Sequence, residues 1–154
     1  MPSSSALFFK KYCLKTILNE QHLTLTIQRL CRQIVERHLD LQDTVLIGMQ
    51  PRGIFVSDRM LLQLQKQLPD TQIQYGKLDI TFYRDDVRKQ LHIPNHTTIP
   101  FPIENKNVIL IDRRFSRQLP IQPDYTGKSI DSFESQKVKV LWKERDGREE
   151  VVLM

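Results

Sequence analysis

One short stretch, residues 107–121 (NVILIDRRFSRQLPI), most constrains what this chain can fold into. It opens with the unbroken apolar run VILI, which is typical of a buried strand in a parallel sheet. The run ends in Asp112, and a basic segment with three arginines (RRFSR) follows at once. Ligands of open parallel sheets bind beyond the carboxyl ends of the strands, so a strand that ends in a carboxylate usually opens a ligand loop. Here no separate loop has room to form, and the function depends on how this junction is interpreted.

The chain before this stretch alternates between helix and strand patterns. Asn19 can cap a first helix, in which apolar residues recur from Ile27 at the spacing of one helix face. The second predicted helix has on or beside its inner face the residues Ile54, Phe55, Asp58, Leu61, Leu62 and Leu68. The predicted elements are a helix over residues 19–39, a strand over 44–49, a helix over 54–68 and a strand over 71–82. This order predicts an α/β fold with a parallel sheet and flanking helices.

The remaining segments are less regular. Residues 83–102 show no periodicity and contain three prolines, and a connection of this length is often a functional lid or arm. Residues 124–128 predict a turn, and the alternation of apolar residues with lysines over 138–142 predicts a final strand. Residues 143–150 are so rich in charge that we expect a solvated tail.

Composition bounds the classes of function. The 23 lysines and arginines exceed the 18 acidic residues, so the net charge is +5, which favours anionic partners but also suits an ordinary solvated surface. Cys13 and Cys31 form no C-x-x-C pair, and we expect free thiols in a reducing cytosol. No apolar run approaches the roughly 18 residues of a membrane span. Residues 1–18 are expected to be an N-terminal extension, residues 19–154 a single domain, and the protein cytoplasmic without a membrane partner.

Three weak motifs do not support a site of their own. The GKS at residues 127–129 lacks the glycine that a P-loop requires five residues earlier, where Gln122 stands. A proline lies between His92 and His96, so no helix can place both imidazoles on one face. The adjacent carboxylates at residues 85–86 suit a solvated loop better than a metal pair or a general base. We therefore predict no metal site within the protein.

The sequence QPRG, residues 50–53, has a more favourable position. It follows a buried strand and opens a helix, whose N-terminal amide groups and partial positive charge attract anions. Arg52 would add a charge-assisted contact to a phosphate, although it could also merely end a surface loop. Arg29, Arg32 and Arg37 lie on the outer face of the first helix, where solvation and RNA binding are both open interpretations.

Six segments between residues 18 and 142, taken together and in order, resemble one family, the bifunctional pyrimidine-operon attenuation regulators and uracil phosphoribosyltransferases (PyrR). The segments are NEQHLTLTIQRLCRQIVERH, TVLIGMQPRGIFVSDRM, YGKLDITFYRDDVRKQ, NVILID, RRFSRQLPIQPDYTGK and SQKVKVLW. The resemblance implies a type I phosphoribosyltransferase fold with a small hood. It also implies conversion of uracil and 5-phosphoribosyl-1-pyrophosphate (PRPP), with Mg2+, to UMP and pyrophosphate. A second implied activity is UMP- or UTP-dependent binding of the pyrimidine operon leader RNA by a homodimer or higher oligomer.

Family roles transfer to individual positions of this sequence. Residues 50–53 match the pyrophosphate loop, so Gln50, Pro51, Arg52 and Gly53 would bind substrate and Arg52 would hold pyrophosphate. By the same resemblance Arg84 would contact phosphate from a flexible loop, Arg117 would contact uracil or nucleotide from the hood, and Val140 would line another wall. Arg29, Arg32 and Arg37 are the candidates for RNA binding.

The resemblance breaks at the junction of residues 112 and 113. The family strand continues into a second acid and a Gly-Thr loop, resembling D-D-V-L-Y-T-G-R-T, which holds the ribose and 5′-phosphate of PRPP. Here a loop-helix-strand unit of about 30 residues is missing, so Asp112 is the remnant either of the PRPP acids or of the hood acid. We expect impaired catalysis and a marginal, aggregation-prone fold. The alternatives are a catalytically inactive RNA-binding remnant and a deletion product without function.

Overall fold

The computed structural model describes residues 15–80, 96–112, 122–131 and 136–154. The site predictions at Arg84 and Arg117, the carboxylates at 85–86, His92 and the basic segment 113–121 lie outside the described residues. The elements in chain order are β1 (Lys15–Leu18), α1 (Glu20–His38), β2 (Thr44–Gln50), α2 (Gly53–Gln67), β3 (Gln74–Asp79), β4 (Asn107–Ile111), β5 (Val138–Leu141), α3 (Lys143–Asp146) and β6 (Glu150–Leu153).

The central sheet is parallel, with the strand order β3-β2-β4. Val45 of β2 lies opposite Gln74 of β3 and Val108 of β4, so the three strands end at the same edge. Helix α2 connects β2 to β3 and packs on the sheet, and α1 packs against α2. This arrangement confirms the predicted α/β class with a parallel sheet and flanking helices.

A second, antiparallel sheet has the strand order β1-β6-β5. The prediction of a charged tail is wrong, because residues 143–154 form α3, a turn at Gly147 and the central strand β6. Gly147 adopts a φ of 72°, a conformation that glycine adopts without steric strain, and it ends α3. Residues 15–18, which the sequence places in the N-terminal extension, pair with β6 as β1.

Helix α1 forms as its sequence predicts. The side chain of Asn19 accepts a hydrogen bond from the backbone N–H of His22 at 2.9 Å and so caps the first turn. Ile27, Cys31 and Ile34 are buried on the face that the apolar spacing predicts. Cys31 is a free thiol, and burial raises its pKa to about 12, so it is unreactive. No helix in the described part of the chain has the length and hydrophobicity that a membrane span requires.

Helix α2 follows its predicted inner face only in part. Of the residues predicted on or beside that face, Phe55, Leu61 and Leu68 pack against the core, whereas Leu62 is 59% exposed. The buried residues of α2 are Gly53, Ser57, Met60 and Leu64. Ser57 is buried because Gly48 of β2 has no side chain and Ser57 fits against it. A rule that places large apolar residues inside misses such a contact.

Strand β4 is also less buried than its apolar run predicts. Of its residues only Ile111 is buried, while Val108 is 41% and Leu110 is 54% exposed. Among the described strands, β4 lies at one edge of its sheet. Helix α2 packs on the side of β4 where Ile109 and Ile111 contact the core. The opposite side of β4 therefore presents apolar side chains to solvent.

Candidate functional site

The site is built where β2 and β4 end together. Strand β2 ends at Gln50, the Gln50–Pro51 peptide bond is cis, and α2 begins at Gly53. A Cβ on Gly53 would lie 2.9 Å from the carbonyl oxygen of Ile111 and 3.5 Å from a carboxylate oxygen of Asp112. The start of α2 thus lies directly against the end of β4, and the structure brings predicted site residues Gly53 and Asp112 together.

The first turn of α2 has the properties of an anion site. The side chain of the N-cap residue, Arg52, makes no capping hydrogen bond, and the first turn contains no acidic residue. Its backbone N–H groups and its partial positive charge are therefore available to a negatively charged group. Within the sequence QPRG, the backbone of the last residue and the guanidinium of Arg52 are the natural contacts for a phosphate.

The side chain of Gln50 connects the site to the segment that begins at residue 96. Its side-chain Nε2 donates to the backbone carbonyl of His96 at 3.0 Å. Thr98 pairs with Lys77 of β3 through two backbone hydrogen bonds of 2.8 Å each. These bonds add residue 98 to the sheet next to β3. The end of the long irregular segment predicted over residues 83–102 is thereby attached to the sheet.

Arg52 points towards the second sheet. Its Nη1 donates to the backbone carbonyl of Val140 at 3.3 Å and lies 3.8 Å from Oδ2 of Asp146. Val140 belongs to β5, which is the edge strand of the antiparallel sheet. The structure therefore brings together Arg52 and Val140, two predicted site residues that are 88 positions apart in the sequence.

The sequence did not predict the residues that hold β5 and α3 in place. Trp142 is fully buried, and the guanidinium of Arg59 lies 4.5 Å from the centre of its ring system. Arg59 also donates to Glu149 at 2.7 Å and to Glu144 at 3.0 Å. Burial is the largest influence on the pKa of Arg59 and lowers it, but the hydrogen bonds to Glu149 and Glu144 outweigh it and leave that pKa raised. The only sequence signal for this cluster was the single tryptophan among charged residues.

The three candidate RNA-binding arginines lie on α1, and two of them contact the segment of residues 124–127. Nη2 of Arg29 donates to the carbonyl of Gly127 at 2.5 Å. Nη1 of Arg37 lies 3.1 Å from Oδ1 of Asp124. Arg32 is exposed to solvent. The contacts of Arg29 and Arg37 show that part of this basic face is already paired within the chain.

The described part of the chain contains no cluster of side chains that could bind a metal ion. Among residues 15–80, 96–112, 122–131 and 136–154, no group of three or more His, Cys, Asp or Glu side chains could hold one. Asp112 is exposed and is the carboxylate nearest to Gly53 in the end-of-strand site.

Two curated relatives are similar to most of this chain. The Bifunctional protein PyrR of Picosynechococcus sp. is 35% identical over 90% of this chain and 96% of its own length. The Bifunctional protein pyrR of Enterococcus faecalis strain OG1RF is 32% identical over the same shares. No family model matches the chain. A solved hypoxanthine-guanine-xanthine phosphoribosyltransferase is 16% identical, with a TM-score of 0.44 over 62% of this chain and 46% of that protein.

The first of these alignments is longer than the part of this chain that it matches. It runs over 170 positions, but it takes in only 90% of a chain of 154 residues, which is about 139 residues. At about 31 positions, therefore, a residue of the relative is aligned with a gap in this chain. This is the size of the loop-helix-strand unit whose absence the sequence indicates.

Proposed function

The chain belongs to the PyrR family of bifunctional pyrimidine regulators and uracil phosphoribosyltransferases, and from that membership we propose that it regulates pyrimidine biosynthesis with an impaired transferase activity. Its regulatory activity would be the binding of operon leader RNA in response to UMP or UTP. The observation that carries the proposed impairment is the gap of about 31 positions against a relative matched over 96% of its length. We place that gap at the junction of residues 112 and 113, directly after β4.

The part of the transferase site that remains would bind pyrophosphate. In the family reaction, uracil N1 gives up its proton and bonds to the anomeric carbon of PRPP, while pyrophosphate leaves with the bonding electron pair. Arg52 and the uncapped N-terminus of α2 would neutralise the charge that develops on the leaving group. Val140, whose backbone accepts a hydrogen bond from Arg52, would line the adjacent wall.

The part that is missing would position the ribose and its 5′-phosphate. Asp112 is the single remaining acid at the end of β4, whereas the family pattern has two acids followed by a Gly-Thr loop. Without that loop, the anomeric carbon of PRPP is not held in line with uracil. Such positioning supplies about 7–11 kcal/mol of the barrier reduction in well-oriented reactions, so we expect a large loss of turnover.

Mg2+ would arrive bound to PRPP. Mg2+ is usually held by one or two carboxylates together with substrate phosphates, and Asp112 beside Gly53 could supply one such ligand. The metal would withdraw charge from the pyrophosphate group, and Arg52 would bind the same group from the protein side.

Two alternatives have observations in their favour. A catalytically inactive RNA-binding remnant is favoured by α1, which forms in full and presents Arg32 to solvent. A deletion product without function is favoured by the exposed apolar side of β4. We further propose a cytoplasmic protein that forms a homodimer or higher oligomer, as the resemblance implies.

The transferase half is tested by measuring UMP formation from uracil, PRPP and Mg2+. The intact relative from Picosynechococcus sp. is the reference under identical conditions. We expect turnover at least about a thousandfold below the reference, because a whole substrate cradle is absent. Turnover within tenfold of the reference would refute the proposed impairment.

The regulatory half is tested by titrating labelled leader RNA with protein at several salt concentrations, with and without UMP. We expect UMP-stimulated binding whose affinity falls steeply with salt. Arg32→Gln should weaken binding and reduce the salt slope by about one, whereas Lys66→Gln, at the exposed end of α2, should leave both unchanged. A folded protein that binds no RNA would identify the deletion product without function.

A further inference from the structure

A cation from the loop of residues 50–53 and a cation from β5 meet at one carboxylate. Nη1 of Arg52 lies 3.8 Å from Oδ2 of Asp146, and Nζ of Lys139 lies 3.9 Å from Oδ1 of the same side chain. The side chain of Asp146 is only 15% exposed, that of Arg52 is 21% exposed and that of Lys139 is 37% exposed. Two positive charges thus share a single negative one in a partly buried position.

Asp146 is held by a further contact besides those with the two cations. Its Oδ2 accepts a hydrogen bond at 3.0 Å from the backbone N–H of Trp142, the N-cap residue of α3. Trp142 is fully buried, and its ring centre lies 6.1 Å from that of Phe55. A hydrogen bond from a buried residue thus helps to hold the carboxylate between the two cations.

Neither cation makes a close hydrogen bond with the carboxylate of Asp146. A charge-assisted hydrogen bond between a nitrogen and a carboxylate oxygen is normally about 2.7–2.9 Å long, and both distances here are about 1 Å longer. The trio also carries one excess positive charge, and Arg52 stands at the uncapped start of α2. A group with several phosphate oxygens could approach both cations more closely than Asp146 does.

We propose that Lys139 is a second anion-binding residue beside Arg52 and that Asp146 is their internal counter-ion, which limits the affinity of this site for pyrophosphate-bearing ligands. The inference deepens the proposed function, since it names a second cation and a competing carboxylate for the same pyrophosphate loop. A purely structural ion cluster predicts instead that the three side chains affect stability and leave anion affinity unchanged.

The test is isothermal titration of the full chain with sodium pyrophosphate, without Mg2+ and at one fixed ionic strength. Lys139→Gln should weaken binding about tenfold, the effect of one charge-assisted contact, and Lys139→Arg should restore it to within about threefold. Asp146→Asn should tighten binding about tenfold, because it removes the competing charge while its amide oxygen can still accept from the Trp142 N–H. Thermal melting of each variant checks that the fold persists.

Matched controls separate local from general charge effects. Lys143→Gln removes an exposed lysine that pairs with Glu20, and Asp124→Asn removes an exposed carboxylate that pairs with Arg37. Both should leave pyrophosphate affinity within about twofold of the unmodified chain.

The outcomes distinguish this inference from the proposed function. If Arg52→Gln weakens binding but the Lys139 and Asp146 variants do not change it, the inference is overturned and the pyrophosphate loop stands. If neither the unmodified chain nor Asp146→Asn binds pyrophosphate, the inference is overturned, while leader-RNA binding continues to test the regulatory proposal separately.

Discussion

The guanidinium Nη1 of Arg52 lies 3.3 Å from the backbone carbonyl oxygen of Val140, so the start of α2 is tied to the edge strand of the other sheet. The contact connects the loop of residues 50–53, at the end of the parallel sheet, to the antiparallel sheet formed by the two ends of the described chain. The guanidinium that is proposed to hold the leaving group is therefore positioned in part by β5.

The close approach of α2 to β4 predicts that Gly53→Ala destabilises the fold. The added Cβ would lie 2.9 Å from the carbonyl oxygen of Ile111 and 3.4 Å from Cα of Asp112, and backbone atoms cannot move aside cheaply. We expect a loss of about 1–3 kcal/mol in the free energy of unfolding, measured by urea denaturation.

Gly127→Ala is the control for that substitution. There the nearest atom to the added Cβ is the terminal Cγ2 of Thr26 at 3.2 Å, on a side chain that can shift slightly. The control should lose clearly less stability than Gly53→Ala, and equal losses would contradict the argument from backbone contact.

Sequence reasoning succeeded where the determining interactions are local. The boundaries of α1 follow from the Asn19 cap and from apolar residues at helical spacing, and both signals lie within the helix itself. The position of Gly53 beside Asp112 follows from topology, because parallel strands bring their carboxyl ends to one edge.

Sequence reasoning failed where partners are distant in the chain. The sequence places Glu144 and Glu149 in a charged tail, whereas the fold brings Arg59, 85 and 90 positions earlier, beside them. The burial of Ser57 on α2 was missed because Gly48 and Ser57 make their contact with little apolar surface. Lys139 and Asp146 gave no signal, since their proximity to Arg52 exists only in the folded chain.

The hydroxyl group of Tyr75 predicts a stability effect behind the site. It donates to Oδ1 of Asp58 at 2.7 Å and lies 2.7 Å from Oγ of the fully buried Ser57. Burial is the main cause that raises the pKa of this hydroxyl, which therefore stays neutral and able to donate. Tyr75→Phe should lower the free energy of unfolding by about 1–3 kcal/mol, because the partly buried carboxylate of Asp58 loses a donor and Ser57 Oγ keeps only the carbonyl of Ile54.

The matched substitution for Tyr75→Phe is Tyr125→Phe, which also removes one phenolic hydroxyl. The Tyr125 hydroxyl lies 3.0 Å from Nε2 of His38, which is only partly buried, whereas Ser57 beside Tyr75 is fully buried. We expect a smaller loss there, and if Tyr75→Phe unfolds at the same urea concentration as the unmodified chain, the buried network contributes nothing.

His38 predicts a pH dependence of stability. Burial is the main cause that lowers its pKa below the ordinary 6.5, the charge of Arg37 adds to the lowering, and Asp124 opposes it. The unfolded chain therefore gains its proton at a higher pH than the folded chain does. Stability should fall as the pH drops through 6.5 and level off below the folded pKa.

The measurement compares unfolding free energies between about pH 8 and about pH 5 for the unmodified chain and His38→Gln. The variant should lose less stability on acidification, because it lacks the group that protonates more readily when unfolded. His22→Gln, in the first turn of the same helix, controls for the removal of an exposed imidazole. An identical pH profile for the unmodified chain and His38→Gln would refute the assignment.

The uncovered side of β4 predicts concentration-dependent self-association. Val108 and Leu110 lie two residues apart on one side of the strand, and β4 pairs with only β2 among the described strands. An apolar patch on an edge strand of this kind favours association between copies. Leu110→Lys should therefore reduce self-association in sedimentation velocity across a concentration series, with a stability change within about 0.5 kcal/mol, since an exposed side chain is replaced.

Leu62→Lys is the matched control for the β4 prediction. Leu62 is 59% exposed, slightly more than Leu110 at 54%, but it lies on the outer surface of α2 rather than on the sheet. If β4 is uncovered because of the proposed deletion, only the strand substitution should dissociate the larger species. Equal effects of both substitutions would mean that the added charge acts on general solubility, and that the uncovered strand is not the cause.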